Sequence, residues 1–278
     1  MVPSSFKSTV TITHIGTATA IIDIDGVKLL TDPYFSPAGT QYDVGVTVLK
    51  VSDDPALSLA DLPHIDGVLL SHENHDDNLD ILGRRILDGR HVFTTKDGAK
   101  NLAPRPDIRG IGPWESVALV LGGKEFTVTG TPCRHIPGQE CTGFIITSTS
   151  FGVSSDGRPN AVWFSGDTVY FDELKEIRQH WHVTAAILNL GYAHAPGEIL
   201  QITQPGTGSA DGPIQITMDG KEGARIFREL EADILVPMHF DSWDHFKQHG
   251  KELRLVMEAE GLSDKICWLA PGVPKRVI

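Results

Sequence analysis

The sequence predicts an α/β fold of the αββα type, two β-sheets packed face to face with helices outside, formed by one domain over residues 1–278. Three observations carry that expectation. Short stretches of alternating apolar and polar residues recur in both halves of the chain, and stretches of helical periodicity fall between them. No linker-like segment or fixed-period repeat separates the halves. The length is compatible with one unit, because α/β enzymes often exceed about 200 residues without dividing.

Taken in order, Val10 to Gly16, Thr19 to Ile24 and Val27 to Thr31 read as three strands, with Asp25-Gly26 as a turn. Asp32-Pro33 ends this meander, and a loop rich in Pro, Gly and Tyr, Pro33 to Gly45, leads to a short strand near Val46 to Val51. Ile65 to Leu70 reads as a buried strand that ends in the polar burst Ser71 to Asn78. Leu79, Leu82, Ile86 and Leu87 then fall at helical spacing. Strands follow at His91 to Thr95, Ser116 to Leu121, Glu125 to Thr131, Thr142 to Ser148 and Ala161 to Ser165, with Gly122-Gly123 joining two of them as a hairpin. Phe171 to Trp181 reads as an amphipathic helix and Ala185 to Leu190 as a strand. Gly197 to Gly212 lacks apolar periodicity and reads as a long loop of the kind that forms lids or binding segments. Asp219 to Glu231 reads as a helix, Ile234 to Pro237 as a strand, Trp243 to Glu260 as a helix and Ile266 to Leu269 as the last strand.

Composition narrows the partners. The chain carries 24 Lys+Arg against 36 Asp+Glu, a formal charge of −12, and no basic run longer than Arg84-Arg85. Polyanion binding relies on Lys and Arg displacing counterions, so nucleic acid is excluded as a partner class and a small-molecule substrate is expected. No apolar run approaches the ~20 residues that span a bilayer. Met1 to Lys7 lacks the basic-then-apolar order of a signal peptide. The expectation is a cytoplasmic protein with no membrane partner; a homo-oligomer stays open. Cys133, Cys141 and Cys267 are an odd, unpatterned set, which argues for a reducing compartment.

Five segments share one property: an apolar strand ends and metal-binding side chains follow at once. They are Leu69 to Asn78, Thr131 to His135, Phe164 to Thr168, Asn189 to His194 and Val236 to His239. Imidazoles and carboxylates together suit zinc, manganese or iron, and a carboxylate can bridge two cations ~3.5–4 Å apart.

On these motifs the chain resembles the metallo-β-lactamase superfamily, in the branch of ascorbate-6-phosphate lactonase-like proteins. The resemblance rests on His14 to Thr19 followed by Ile21 to Gly26, on Leu30-Thr31-Asp32-Pro33, on the His cluster after Leu70, on Thr131-Pro132 leading to His135, on Ser165 to Thr168 and on Pro237-Met238-His239. It departs in the first motif, where the family pattern is His-x-His-x-Asp-His. Anchoring downstream on Asp77, Asn78 and Leu79-Asp80 puts His75 and Asp77 in register and leaves Glu73 for the first His. Anchoring upstream on Leu70-Ser71-His72 keeps His72 at the cost of one inserted residue; the downstream register is favoured.

The resemblance then implies one metal site of His75 and His135 with Glu73 or His72, and a second of Asp77 and His239, with Asp167 between them. Asn78 stands in for an imidazole as a weaker ligand, and Asp32 holds the site loop by hydrogen bonds. One or two divalent ions are expected, zinc or manganese, with iron as a third choice. Such an ion lowers the pKa of its bound water towards ~7, and that hydroxide attacks the substrate. Asp77 would orient it, His194 would stabilise developing charge or protonate the leaving group, and Tyr192 would contact substrate. His180, His182, His245 and His249 read as helix-surface residues. The expected activity is hydrolysis of a small cyclic ester or amide, a lactone or lactam. Phosphodiester hydrolysis on the same fold, and a non-hydrolytic metal-binding protein with a degenerate first motif, are the alternatives.

Overall fold

The computed structural model describes residues 5–206 and 208–278; the opening residues of the expected signal-free N-terminus and position 207 of the expected long loop lie outside the described residues. One sheet has seven strands in the order Lys275–Arg276, Val10–Gly16, Thr19–Ile24, Val27–Thr31, Gly67–Leu69, His91–Thr94, Ile108–Gly110. The other has six in the order Ile234–Met238, His182–Asn189, Asn160–Phe164, Thr142–Thr147, Lys124–Pro132, Ser116–Leu121. Each sheet is antiparallel on one side and parallel on the other; Leu29 pairs with Gly67 and Gly67 with His91 in parallel register.

Strand parity decides which residues face the partner sheet. Ile12, Ile22, Leu29, Leu69 and Phe93 of the first sheet meet Phe144, Ile146, Val162, Phe164 and Ile187 of the second in one buried cluster. Their immediate neighbours point the other way: Ile21, Leu30, Val68, Leu70 and Val92 pack under Ile86 and Leu102, which lie in short helical segments. Ile145, Trp163, Ala186 and Leu188 pack under the helices Gly220–Glu229 and Gly250–Ala259 through Phe227, Leu253 and Met257. Side chains alternate with period two along a strand, so apolar residues on both parities require cover on both faces. The result is the four-layer αββα arrangement.

Local readings differ in four places. Leu79 to Leu87 forms turns and only a 3₁₀ segment, Gly83–Ile86. Trp243 to His249 is not helical; the helix starts at Gly250. The turn before it buries Trp243 and Phe246 against Tyr34, Ile136 and Ile199, a tertiary contact that overrides helical periodicity. The expected loop contains a short helix, Ile199–Thr203, and Ile266 to Leu269 forms only a parallel bridge from Ile266 to Leu235.

Asp80 ties the loop after Pro33 to the segment after the polar burst. Its Oδ2 accepts from Phe35 N at 3.1 Å and from Ser36 Oγ, and its Oδ1 accepts from Gly83 N at 2.6 Å. A Cβ at Gly83 would lie 1.8 Å from the Pro33 carbonyl oxygen, a backbone atom that cannot rotate aside. Gly83→Ala is therefore expected to destabilise the fold by about 1–3 kcal/mol, read as a lower Tm in thermal unfolding. An unchanged Tm would show that this corner is not close-packed.

Candidate metal centre

Each loop that carries an expected ligand follows the C-terminal end of a strand: Gly67–Leu69, Lys124–Pro132, Asn160–Phe164 and Ile234–Met238. The loops bring two groups of ligand-bearing side chains together, His72 with His75 and His135, and Asp77 with Asp167 and His239. Within each group the available ligand atoms lie within 4.8 Å of one another.

The hydrogen bonds of the first group fix which ring nitrogens carry protons. His75 Nε2 faces Gln139 Oε1 at 2.7 Å and His135 Nδ1 faces the Ile216 carbonyl at 2.8 Å, so both of these nitrogens donate. His72 Nδ1 lies 2.9 Å from Ser71 Oγ, whose own proton goes to Asp32 Oδ2 at 2.8 Å. The inner nitrogens are left as lone pairs: His72 Nε2 and His135 Nε2 lie 3.0 and 3.3 Å from His75 Nδ1. Three facing lone pairs repel one another, and a cation is what such a donor set fits.

In the second group Asp167 Oδ1 accepts from His239 Nδ1 at 3.0 Å and from Asn189 Nδ2 at 2.7 Å. His239 Nε2 and Asn78 Oδ1 are buried with no hydrogen-bond partner among the described residues, as a coordinating role would require. Asp32 accepts from Ser71 N at 2.6 Å and from Asn78 Nδ2 at 3.0 Å, so one carboxylate orients both the His72 support and Asn78. Asp32, Tyr192 and His239 sit at φ of 28°, 52° and 52°, a region non-glycine residues rarely occupy, and such strain concentrates at functional sites.

Burial lowers the His135 pKa to about 4 and holds His72 well below the usual imidazole range, in each case with neighbouring imidazoles adding to the effect. Both rings are thus neutral at pH 7, the form that binds metal. Burial alone would raise the Asp167 pKa, but the His239, His135 and His72 rings outweigh it and hold the carboxyl below the usual range. Burial would lower the His239 pKa; Asp167 reverses that and raises it. Burial and the Asp167 carboxylate raise Asp32 to about 7 against its hydrogen bonds from Ser71 and Asn78.

Residues 28–240 match the family described as the Beta-lactamase superfamily domain. The chain belongs to that superfamily. A UPF0173 metal-dependent hydrolase of Methanopyrus kandleri is 24% identical over 267 residues, covering 94% of this chain and 97% of its own. An uncharacterized protein of Mycobacterium tuberculosis is 29% identical over 249 residues; the match covers 85% of this chain and spans only 60% of that relative's length. Among solved structures, an isothiocyanate hydrolase from Delia radicum gut bacteria superposes with a TM-score of 0.73 at 20% identity over 95% of this chain and 98% of its own, a likeness of fold. The two packed sheets of the metallo-β-lactamase fold are what the superfamily assignment and the structure share.

A cavity of about 300 Å³ opens in front of this superfamily centre. His75, Asp77, His135 and Gln139 form its floor, with His194 and His245 on its sides. Its outer wall is aliphatic: Val44, Val46 and Leu49 from the hairpin of Gln41–Asp43 and Val48–Lys50, then Ile199, Ile202 and Ile216. The tip of the hairpin reaches the short helix, where a Cβ at Gly45 would lie 3.6 Å from Ile202 Cδ1.

The geometry corrects two sequence expectations. Glu73 does not join the ligands: its Oε1 accepts from Asn101 Nδ2 at 2.7 Å and its Oε2 from Arg84 Nη2 at 3.1 Å, so its charge is spent on the protein frame. His72 occupies the place beside His75, and the upstream register is the one the structure draws together. Tyr192 does not line the cavity; its ring packs edge-on against His194 at 4.5 Å, and its carbonyl oxygen lies 3.0 Å from His194 Nδ1. Asn78 is fully buried, bound to Asp32 through Nδ2 with Oδ1 free, and His194 lies on the cavity wall.

Three residues escaped the sequence reading. His245 faces the cavity because the expected helix around it does not form. Gln139 and Asn189 hold ligands through side-chain amides, and only Asn189, at a strand end beside other polar residues, gave any signal.

Two predictions test this arrangement. His72→Ala should abolish metal uptake at the imidazole group, whereas Glu73→Gln should retain it, both read as atoms per chain by elemental analysis; the reverse pattern would restore the downstream register. Gln139→Leu should weaken metal affinity roughly 10–100-fold in a chelator competition, because the His75 ring loses the partner that orients it. Unchanged affinity would mean His75 is positioned by packing alone.

Proposed function

We propose that this superfamily member is a metal-dependent hydrolase of neutral cyclic esters or amides, lactones or lactams, and that the reaction takes place on the floor of the aliphatic cavity. The observation that carries the reading is the lining itself: among the described residues it contains no Lys or Arg, it includes the carboxylates of Asp76 and Asp77, and Val, Leu and Ile make up much of the rest. A phosphodiester would bring a fixed negative charge beside Asp76 and Asp77 with no cationic side chain in the lining to offset their repulsion, which leaves the metal as its one counter-charge. A neutral carbonyl compound meets no such penalty. The designation of the Methanopyrus relative as a metal-dependent hydrolase supports the same reaction class.

Three imidazoles suit zinc, and the carboxylate-rich group of Asp77, Asp167 and His239 suits zinc, manganese or iron. A divalent metal held by these residues supplies Lewis-acid polarisation of the substrate carbonyl and activation of water. Asp77, on the cavity floor, orients the attacking water and accepts its proton. His194 Nδ1 donates to the Tyr192 carbonyl, which leaves Nε2 as a lone pair that takes a proton from solvent and passes it on to the leaving oxygen or nitrogen. The aliphatic wall holds the ring's substituent and excludes bulk water, which strengthens every hydrogen bond made at the floor.

Metal-stripped protein reloaded with zinc or manganese should open simple aliphatic lactones or lactams in a pH-stat assay, with little turnover of an aryl phosphodiester. His135→Ala should lower kcat/KM at least about 100-fold. Phosphodiester turnover without ring opening would overturn the substrate class. Stoichiometric metal without turnover of any of these compounds would favour the non-hydrolytic alternative.

A further inference from the structure

Two of the three cysteines flank the loop that carries His135, and neither lines the cavity. The antiparallel pairing of Lys124–Pro132 with Thr142–Thr147 ends at Pro132 opposite Thr142, so Cys133 and Cys141 stand opposite each other one step further on. Burial pushes the Cys141 thiol well up, and the neighbouring Cys133 thiol adds to the rise. Cys133 Sγ donates to the Ser165 carbonyl at 3.4 Å and Cys141 Sγ to the Asp167 carbonyl at 3.2 Å, so both rest on the same neighbouring loop. Opposed residues of an antiparallel pair have Cβ atoms about 4.5–5.5 Å apart, a small adjustment from the roughly 3.5–4.5 Å that a disulfide needs. The chain between them, Arg134 to Glu140, carries His135 and Gln139. Cys141 Sγ also lies 3.6 Å from His72 Nδ1.

We propose that Cys133 and Cys141 form an oxidisable pair, a modification site for peroxide whose disulfide staples the loop bearing His135 and alters metal uptake at the imidazole group. The chemistry balances with a hydroperoxide as the two-electron oxidant. One thiol sulfur attacks a peroxide oxygen, the O–O bond breaks, one water leaves and a sulfenic acid forms. The second sulfur then displaces the hydroxyl as a second water and the S–S bond closes. Two thiols are oxidised and one hydrogen peroxide is reduced to two waters. Cys267 is remote in use: its backbone N–H donates to Leu235 in the bridge beside the second sheet, and it serves as an internal reference thiol.

Both sulfurs are coupled to the centre by contacts that the disulfide replaces. Closing the bond removes the S–H donors from the Ser165 and Asp167 carbonyls and draws the Cys141 sulfur away from the His72 ring. Metal uptake by the oxidised protein is therefore expected to be slowed at least threefold. The test treats the full chain, stripped of metal, with hydrogen peroxide and follows thiol titration, intact mass and the rate of zinc uptake. The expected result is two thiols lost, a mass lower by two hydrogens, a peptide map joining the segments of Cys133 and Cys141, and slower uptake that dithiothreitol restores. Cys133→Ser should take up zinc at the same rate with and without peroxide. Three titratable thiols after treatment, or a sulfinic acid at either position with no cross-link, would overturn the site. A cross-link that leaves zinc uptake unchanged would overturn its link to the metal centre. None of these readouts requires a substrate, so failure of the proposed hydrolase activity leaves this result intact.

Discussion

The buried carboxylate of Asp32 is the constraint on which the centre rests. It ends the third strand of the first sheet, at Val27–Thr31, and reaches across to the loop after Gly67–Leu69, accepting from Ser71 N, Ser71 Oγ and Asn78 Nδ2. Through Ser71 it sets the proton on His72 Nδ1 and hence the lone pair on Nε2. Through Asn78 it fixes the residue that stands where a further imidazole would otherwise coordinate. Its left-handed φ is the local cost of aiming the carboxylate inward, and the sheet on one side and the hydrogen-bonded loop on the other hold it there. Burial and the Asp167 charge raise its pKa to about 7, and the donors from Ser71 and Asn78 hold back a larger rise.

The second sheet contributes the other half by close approach. Gly166, at φ 58°, lets the loop carrying Asp167 pass the first motif: a Cβ there would lie 2.6 Å from the Thr142 carbonyl oxygen and 3.0 Å from Ser71 Cβ. Asn189, at the end of the neighbouring strand His182–Asn189, then donates to Asp167 Oδ1. Thr142 N donates to the Ser71 carbonyl at 3.0 Å, so the two sheets are joined at this edge by a polar contact as well as by the apolar layer between them. Polar contacts have preferred directions that apolar burial lacks, so they give the ligand atoms fixed positions.

Much of this was legible in the sequence because it is written in short-range pattern. Alternating strand segments in both halves with helical stretches between them implied two sheets with helices outside, and the recurrence of ligand types after strand ends implied a shared edge. The choice between His72 and Glu73 was not legible, since it depends on partners distant in sequence: Arg84 and Asn101 capture the Glu73 carboxylate, and nothing near position 73 announces them. His245 was hidden for a related reason. The apolar spacing from Trp243 onward suits a helix, yet Trp243 and Phe246 bury into the cluster around Tyr34 and pull the backbone out of helical register. A family resemblance could place His135, Asp167 and His239 by order, but an inserted residue in the first motif leaves the register to be decided by packing.

The cavity wall is built from segments outside the two large sheets. Val44, Val46 and Leu49 belong to a separate hairpin, Ile199 and Ile202 to a short helix, and Ile216 to the segment after a small two-stranded sheet, Ile214–Gln215 with His194–Ala195. Ligand positions therefore depend on strand ends locked in the sandwich, and substrate contacts on surface segments packed against one another. Ile216 is a point where the two meet, since its carbonyl accepts from His135 and the residue lines the cavity. That division lets the wall change shape without moving the ligands, as scaffolds that carry function on surface loops generally do.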